Sequence, residues 1–210
     1  MLLFHERIEG NAVWGMWQIE ETVDALLQLL HNDPDIEAQV NQFGSEKRKL
    51  EFLATRVMLA ELLGENKKIS YHISGDPYFD DRSYYISIAH TGCYVTVLLH
   101  PERPVGIDVE RIGDKVGRIR HRFLSQNEMD AIFEANEKTH LTLLWAAKET
   151  LYKVIKKEVV DFITDLHIEP FQPYLSGEIL AHETCTEQQR HYRLHYRVYP
   201  EYVCVWTIQD

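Results

Sequence analysis

Val105-Gly106-Ile107-Asp108-Val109-Glu110 is the stretch on which the reading of this chain turns. Ile107 and Val109 alternate with Asp108 and Glu110, and a period of two is the mark of a half-buried strand. Successive strand side chains point to opposite faces, so the two carboxylates share one face and the apolar residues the other. Alone, an Asp-x-Glu pair of this kind is commonly a solvated strand face. A second stretch, Trp145-Ala146-Ala147-Lys148-Glu149-Thr150-Leu151-Tyr152-Lys153, changes the weighting. At about 100° per residue, Leu144, Ala147, Leu151, Val154 and Ile155 form an apolar helical stripe, and Trp145, Glu149 and Lys153 form a neighbouring one. If the fold lays Glu149 beside Asp108 and Glu110, the three acids make an all-oxygen pocket suited to Mg²⁺, with lysines at hand for phosphate oxygens.

Outward from these stretches the pattern is mixed. Residues 12–19 read as a strand and 21–31 as a short helix carrying Val23, Leu26, Leu27 and Leu30 on one side. Ser45 opens a long helical pattern that Gly64 closes. A turn-rich stretch, 74–81, precedes strands at 84–89 and 93–99, separated by His90-Thr91-Gly92. After the connector 100–104 comes the strand 105–109. Ser125 and Glu128 have capping-box spacing, so a helix starts there, and a longer one spans about 138–157. Strands follow near 165–169, 177–182, 192–198 and 202–208. Residues 1–103 and 104–210 each mix a long helix with antiparallel strands, and the expected fold is α+β, a pseudo-duplicated pair of similar halves.

Composition narrows the function. With 210 residues, 45% of them apolar, the chain can fill one large core or two small ones. Its 22 basic and 33 acidic residues give a net charge of −11, and both halves are acidic, 9 against 16 in residues 1–103 and 13 against 17 in 104–210. A broad nucleic-acid footprint needs a basic surface to displace counterions, so no nucleic-acid partner is expected. The three cysteines, Cys93, Cys185 and Cys204, are too scattered for a disulfide framework or a CxxC site. The N-terminus becomes acidic too early for a signal peptide, and no apolar run is long enough to span a membrane. A cytoplasmic protein without a membrane partner is the expectation.

Gly106-Ile107-Asp108-Val109-Glu110 and Trp145-x-x-Lys148-Glu149-x-x-x-Lys153, with Phe123-Leu124-Ser125-x-x-Glu128 between them, resemble the 4'-phosphopantetheinyl transferase family. The length is similar to that of its larger, surfactin-synthetase-activating type, in which two similar halves share one chain. The resemblance is densest over 86–155 and weaker from about 45. It implies the 4'-phosphopantetheinyl transferase fold, each half a long helix packed on an antiparallel sheet, with the active site in the cleft between the halves. The first half would contact the coenzyme A nucleotide, and the second would hold the metal and dock the carrier. The implied reaction moves the phosphopantetheine arm of coenzyme A to a serine of an apo acyl or peptidyl carrier protein and releases 3',5'-ADP, with Mg²⁺ as cofactor.

Residue by residue, the resemblance implies that Asp108, Glu110 and Glu149 bind the metal and that Lys153 contacts phosphate. Glu149 is also the candidate general base, directly or through a water. His90, in Ile86-Ser87-Ile88-Ala89-His90-Thr91-Gly92, resembles the family's Ser-His-Ser turn, in which the histidine meets a coenzyme A phosphate; Ala89 removes one hydroxyl and Thr91 keeps the other. Arg56 matches a helix arginine that reaches a phosphate, with Lys47 and Arg48 able to support it. Gly75-Asp76-Pro77 stands where the family has Gly-Lys-Pro, and an aspartate there repels phosphate. Glu128 is either an acid near the metal or simply the capping-box glutamate. The basic run Lys115 to Arg122 either docks an acidic carrier or is an ordinary solvated segment. His191 and His195 lack a third ligand nearby and read as surface or core histidines. One chain holding both halves implies a monomer. Two rivals stay open: a carrier-binding relative without catalysis, and a metal-dependent nuclease, which uses similar spacings of Asp, Glu and Lys.

Overall fold

The protein is described by a computed structural model that places residues 1–209. Its elements run β1 (Leu2–Arg7), β2 (Val13–Gln18), α1 (Val23–Leu29), α2 (Pro34–Val40), α3 (Glu46–Leu63), β3 (Ile69–Tyr71), β4 (Pro77–Phe79), β5 (Tyr85–Thr91) and β6 (Tyr94–His100). There follow β7 (Val105–Arg111), α4 (Asp114–Ile119), α5 (Gln126–Asp130), α6 (Glu137–Ile155), β8 (Leu166–Ile168), β9 (Ser176–Glu183), β10 (His191–Val198) and β11 (Tyr202–Ile208). A four-stranded sheet has the order β1-β2-β6-β5 and a five-stranded sheet the order β7-β11-β10-β9-β8, every pairing antiparallel. The fold is α+β, as the sequence implies, and each large sheet is covered by one long helix, α3 or α6.

Local chemistry sets the helix ends. Ser45 accepts a hydrogen bond from the Arg48 amide to cap α3, and Gly64 ends it with a φ of 72°, the left-handed geometry that glycine adopts without a Cβ penalty. At α5 both halves of the capping box form between Ser125 and Glu128. Four differences from the sequence expectation matter. Strand β5 runs on through His90 and Thr91, because both pair with β6 as Val95 and Tyr94 partners. Residues 2–7 add an edge strand to β2, and Asp33 caps the helix α2 that the sequence reading passed over. Part of the basic run is itself a short helix, α4.

Three apolar clusters fill the molecule. One, under α3, gathers Leu53, Val57, Met58, Val95 and Val97; another, under α6, gathers Leu143, Leu144, Leu151, Ile179 and Leu194. The third lies between the two sheets and is built from Trp14, Met16, Leu98, Ile107, Val109, Cys204 and Trp206. Trp14 and Trp206 stack there with centroids 4.9 Å apart. The sheets meet edge to edge at β5 and β7. The Ile107 amide donates to Ser87 Oγ at 3.0 Å and the Arg111 amide to Thr91 Oγ1 at 3.3 Å, the same sequence offset in both, so the two strands run parallel. Side-chain hydroxyls therefore take the place of ladder hydrogen bonds along this seam.

Candidate functional site

Gly106 explains how α6 comes so close to β7. A Cβ built on Gly106 would stand 2.4 Å from the Thr150 carbonyl oxygen, so only glycine allows the helix to lie directly over the strand. That contact brings the acid-bearing faces of the two elements together. Val105, Ile107 and Val109 enter the core between the sheets, while Asp108 and Glu110 turn toward α6.

Asp108 is 6% exposed, and its Oδ1 accepts a 2.8 Å hydrogen bond from Lys153 Nζ. The same ammonium donates to the Ile107 carbonyl at 2.9 Å. Asp108 Oδ2 is buried and without a hydrogen-bond partner. Glu110 Oε1 accepts from Trp145 Nε1 at 3.1 Å, and Oε2 lies 3.4 Å from Thr91 Oγ1. Burial, then the neighbouring charge of Asp108, pushes the Glu110 carboxyl above the ordinary range. Glu149 is pushed further, to about 7, first by burial and then by Asp108 and Glu110, with Lys153 opposing. The charge of Asp108 thus reaches both Glu110 and Glu149.

Their donor chemistry fits a hard divalent cation: the oxygens are all carboxylate, one of them buried and unpartnered, and the like charges repel until a cation joins them. Among the described residues, however, no three His, Cys, Asp or Glu side chains are arranged as a ligand group. Asp108 faces Lys153, and Glu110 faces Trp145 and Thr91.

A cationic group stands across the seam. Arg48 NH1 approaches His90 Nε2 to 3.2 Å, and Lys47, Arg48 and Lys153 all depress the proton affinity of His90, after burial as the largest cause. Lys47 and Arg48 of α3 thus gather at His90 of β5, while Thr91 of β5 and Lys153 of α6 reach the acids. Beside them is a pocket of about 170 Å³, lined in part by Arg48, Thr55, Tyr71, Gly75, Pro77 and His90. The Gly-Asp-Pro turn, whose Asp76 accepts from Ser74 Oγ at 2.8 Å, thus borders the same pocket.

Arg56 behaves differently. It is 8% exposed, lies flat on Phe52 with 3.2 Å to the ring centroid, and donates to the Phe52 carbonyl at 3.2 Å. Its guanidinium also meets Tyr71, and Phe52 and Tyr71 both line the same pocket.

Glu128 and Lys148 form a buried ion pair. Lys148 is fully buried, and its ammonium donates to Glu128 Oε2, the Phe123 carbonyl and the Phe162 carbonyl at 2.8, 2.7 and 2.7 Å. Glu128 also accepts from the Ser125 amide and hydroxyl and from the Ile168 amide. This pair ties α5, α6 and β8 together. Trp145 likewise packs edge-on against Phe123 at 5.1 Å while orienting Glu110. Glu51 was not singled out by the sequence. Its spacing from Lys47 signals an i, i+4 pair on a helix surface, yet its carboxylate is buried beneath His90.

His191 and His195 sit on the outer face of β10, where His195 stacks on Trp206 at 5.7 Å and His191 on His182 at 5.4 Å. Among the described residues no helix is long and apolar enough to cross a membrane.

Residues 104–207 match the model of the 4'-phosphopantetheinyl transferase superfamily. The matched region begins just before β7 and contains Asp108, Glu110, Glu149 and Lys153. No curated protein gives a significant match to the chain.

Proposed function

We propose that this chain transfers the 4'-phosphopantetheine arm of coenzyme A to a serine of an apo acyl or peptidyl carrier protein and releases 3',5'-ADP. One observation carries the reading. Burial, and then the charges of Asp108 and Glu110, push Glu149 up to about 7, and Lys153, Arg48 and Lys47 act on His90 across the seam. The superfamily match over 104–207 supports the same reaction class. In this reading the chain is of the larger, two-half type and works as a monomer, with residues 1–103 gripping the nucleotide and 104–210 providing the acids and the carrier surface.

Asp108, Glu110 and Glu149 would hold Mg²⁺, which would supply Lewis-acid stabilisation of the negative charge on the phosphates. Lys47, Arg48 and His90 receive the anionic end of coenzyme A, because together they place ammonium, guanidinium and imidazole donors on one side of the cleft. Asp108 and the Ile107 carbonyl fix Lys153 Nζ, so that the ammonium is held ready to meet a phosphate oxygen. Glu149 takes the proton of the incoming serine hydroxyl, directly or through a water. The serine oxygen forms a bond to the β-phosphorus, and the bond from that phosphorus to the oxygen of 3',5'-ADP breaks. Lys115, Arg118, Arg120, His121 and Arg122, on α4 and the turn after it, are exposed, Lys115 within electrostatic reach of Glu110, and suit the acidic helices that carriers present.

The test is product analysis. Incubation with coenzyme A, Mg²⁺ and an apo carrier should release 3',5'-ADP only when the carrier is present, and Asp108→Asn should abolish the release. Cleavage of coenzyme A without carrier, or no cleavage with several carriers, would refute the assignment.

A further inference from the structure

The cationic pocket contains an acid that its apparent purpose does not call for. Glu51 is 5% exposed, and its Oε1 has no hydrogen-bond donor. Around it stand Lys47 Nζ at 3.5 Å, Arg48 NH1 at 3.6 Å and His90 Nδ1 at 3.3 Å. Burying a carboxylate where an anion is to bind is costly unless it serves something in the bound state.

The geometry indicates what it serves. Arg48 NH1 can only donate, so His90 Nε2 accepts from it, and the single proton of the neutral ring is on Nδ1, on the Glu51 side. Charged groups face this ring from two elements: Lys47, Arg48 and Glu51 on α3, and Lys153 on α6. Burial, and then the three cations, disfavour an imidazolium, and Glu51 favours one.

We infer that Glu51 is a positioning residue that couples phosphate binding to protonation of His90. When a phosphate enters, Arg48 turns from His90 to the anion, Nε2 takes one proton from solvent and donates it to the phosphate, and Glu51 Oε1 receives the Nδ1–H. The Nδ1–H that already faces the buried oxygen then belongs to an imidazolium, whose added positive charge the Glu51 carboxylate balances. The inference rests on the coenzyme A reading above and adds that the nucleotide end is sensed through a proton.

Calorimetric titration of coenzyme A into the full chain at about pH 7.5, in buffers of differing ionisation enthalpy, tests it. The phosphate monoester, with a second pKa near 6, is already a dianion there, so protons exchanged belong to the protein. The wild type should show net proton uptake. Glu51→Gln should abolish the uptake and weaken binding roughly tenfold, the worth of one hydrogen bond to a charged group. Glu51→Asp should retain the uptake, and His90→Asn, at an exposed side chain, should abolish it even if the Glu51 variants fail to fold. Binding without proton uptake, or uptake that survives in Glu51→Gln or His90→Asn, overturns the coupling and leaves the coenzyme A reading standing. No binding by the wild type overturns both.

Discussion

At the scale of the residue, Glu149 is the most consequential group, because its environment sets it against its own charge. Its folded value of about 7 lies above the ordinary 4.5, so the folded state binds a proton more tightly than the unfolded state. The sign follows: the folded protein loses stability as pH rises from about 4.5 to about 7, and the loss is complete above that. Glu149→Gln should therefore melt higher than the wild type at about pH 8 and close to it at about pH 4.5, measured without divalent cations. A variant that melts lower at high pH would mean the three acids do not repel one another. Mg²⁺ should raise the melting temperature of the wild type by mass action on the folded state and do so much less for Asp108→Asn. Of these residues, the acids and Lys153 were legible in the sequence because alternation and helical spacing report which side chains share a face. Glu51 was not, because burial of a helix-surface acid depends on what β5 places over it. Nor was the fate of Arg56, whose guanidinium is captured by Phe52, a ring one turn away.

At the scale of the element, what matters is how α6 is seated. Gly106 lets it touch β7, and the buried Lys148 and Glu128 tie it to α5 and β8. Gly106→Ala should cost about 1–3 kcal/mol by overpacking, and should lower transfer more than that loss of stability alone implies, since it lifts Glu149 and Lys153 away from Asp108. Denaturant titration and a transfer assay on the same sample separate the two effects. Lys148→Ala should cost about 3–5 kcal/mol, because it strands a buried carboxylate. Exchanging both partners, Lys148→Met with Glu128→Gln, should recover a good part of that loss in the same titration. The elements themselves were largely readable. Capping residues announced α3 and α5, and alternation announced β7, β10 and β11. The reading stopped β5 short, because His90, Thr91 and Gly92 look like a turn until the pairing of His90 with Val95 and Thr91 with Tyr94 extends the strand. The glutamate of the Ser125 motif was ambiguous for a related reason: the local cap is visible in sequence, but Lys148 and the Ile168 amide reach it from distant segments.

At the scale of the whole molecule, the two sheets depend on each other. The apolar cluster of Trp14, Met16, Ile107, Val109, Cys204 and Trp206 belongs to neither half alone, and Ser87 and Thr91 stitch β5 to β7. Residues 104–210 produced without 1–103 should expose that face and associate or precipitate, and the intact chain should unfold in one calorimetric transition. A well-behaved monomeric fragment would contradict this. The mix of long helices and antiparallel strands was legible in the sequence, whereas the seam was not, because side-chain hydroxyls bonding to backbone amides leave no periodic trace. The same seam brings His90 and Arg48 to face Lys153, so the cleft exists only in the complete chain. The most direct test of what that cleft does is the intact mass of an apo carrier protein after incubation with this protein, coenzyme A and Mg²⁺. The account predicts a gain of one phosphopantetheine, lost when the carrier serine is changed to alanine and lost again with Lys153→Met. A carrier whose mass stays unchanged across acyl and peptidyl types, while the protein remains folded, would contradict it.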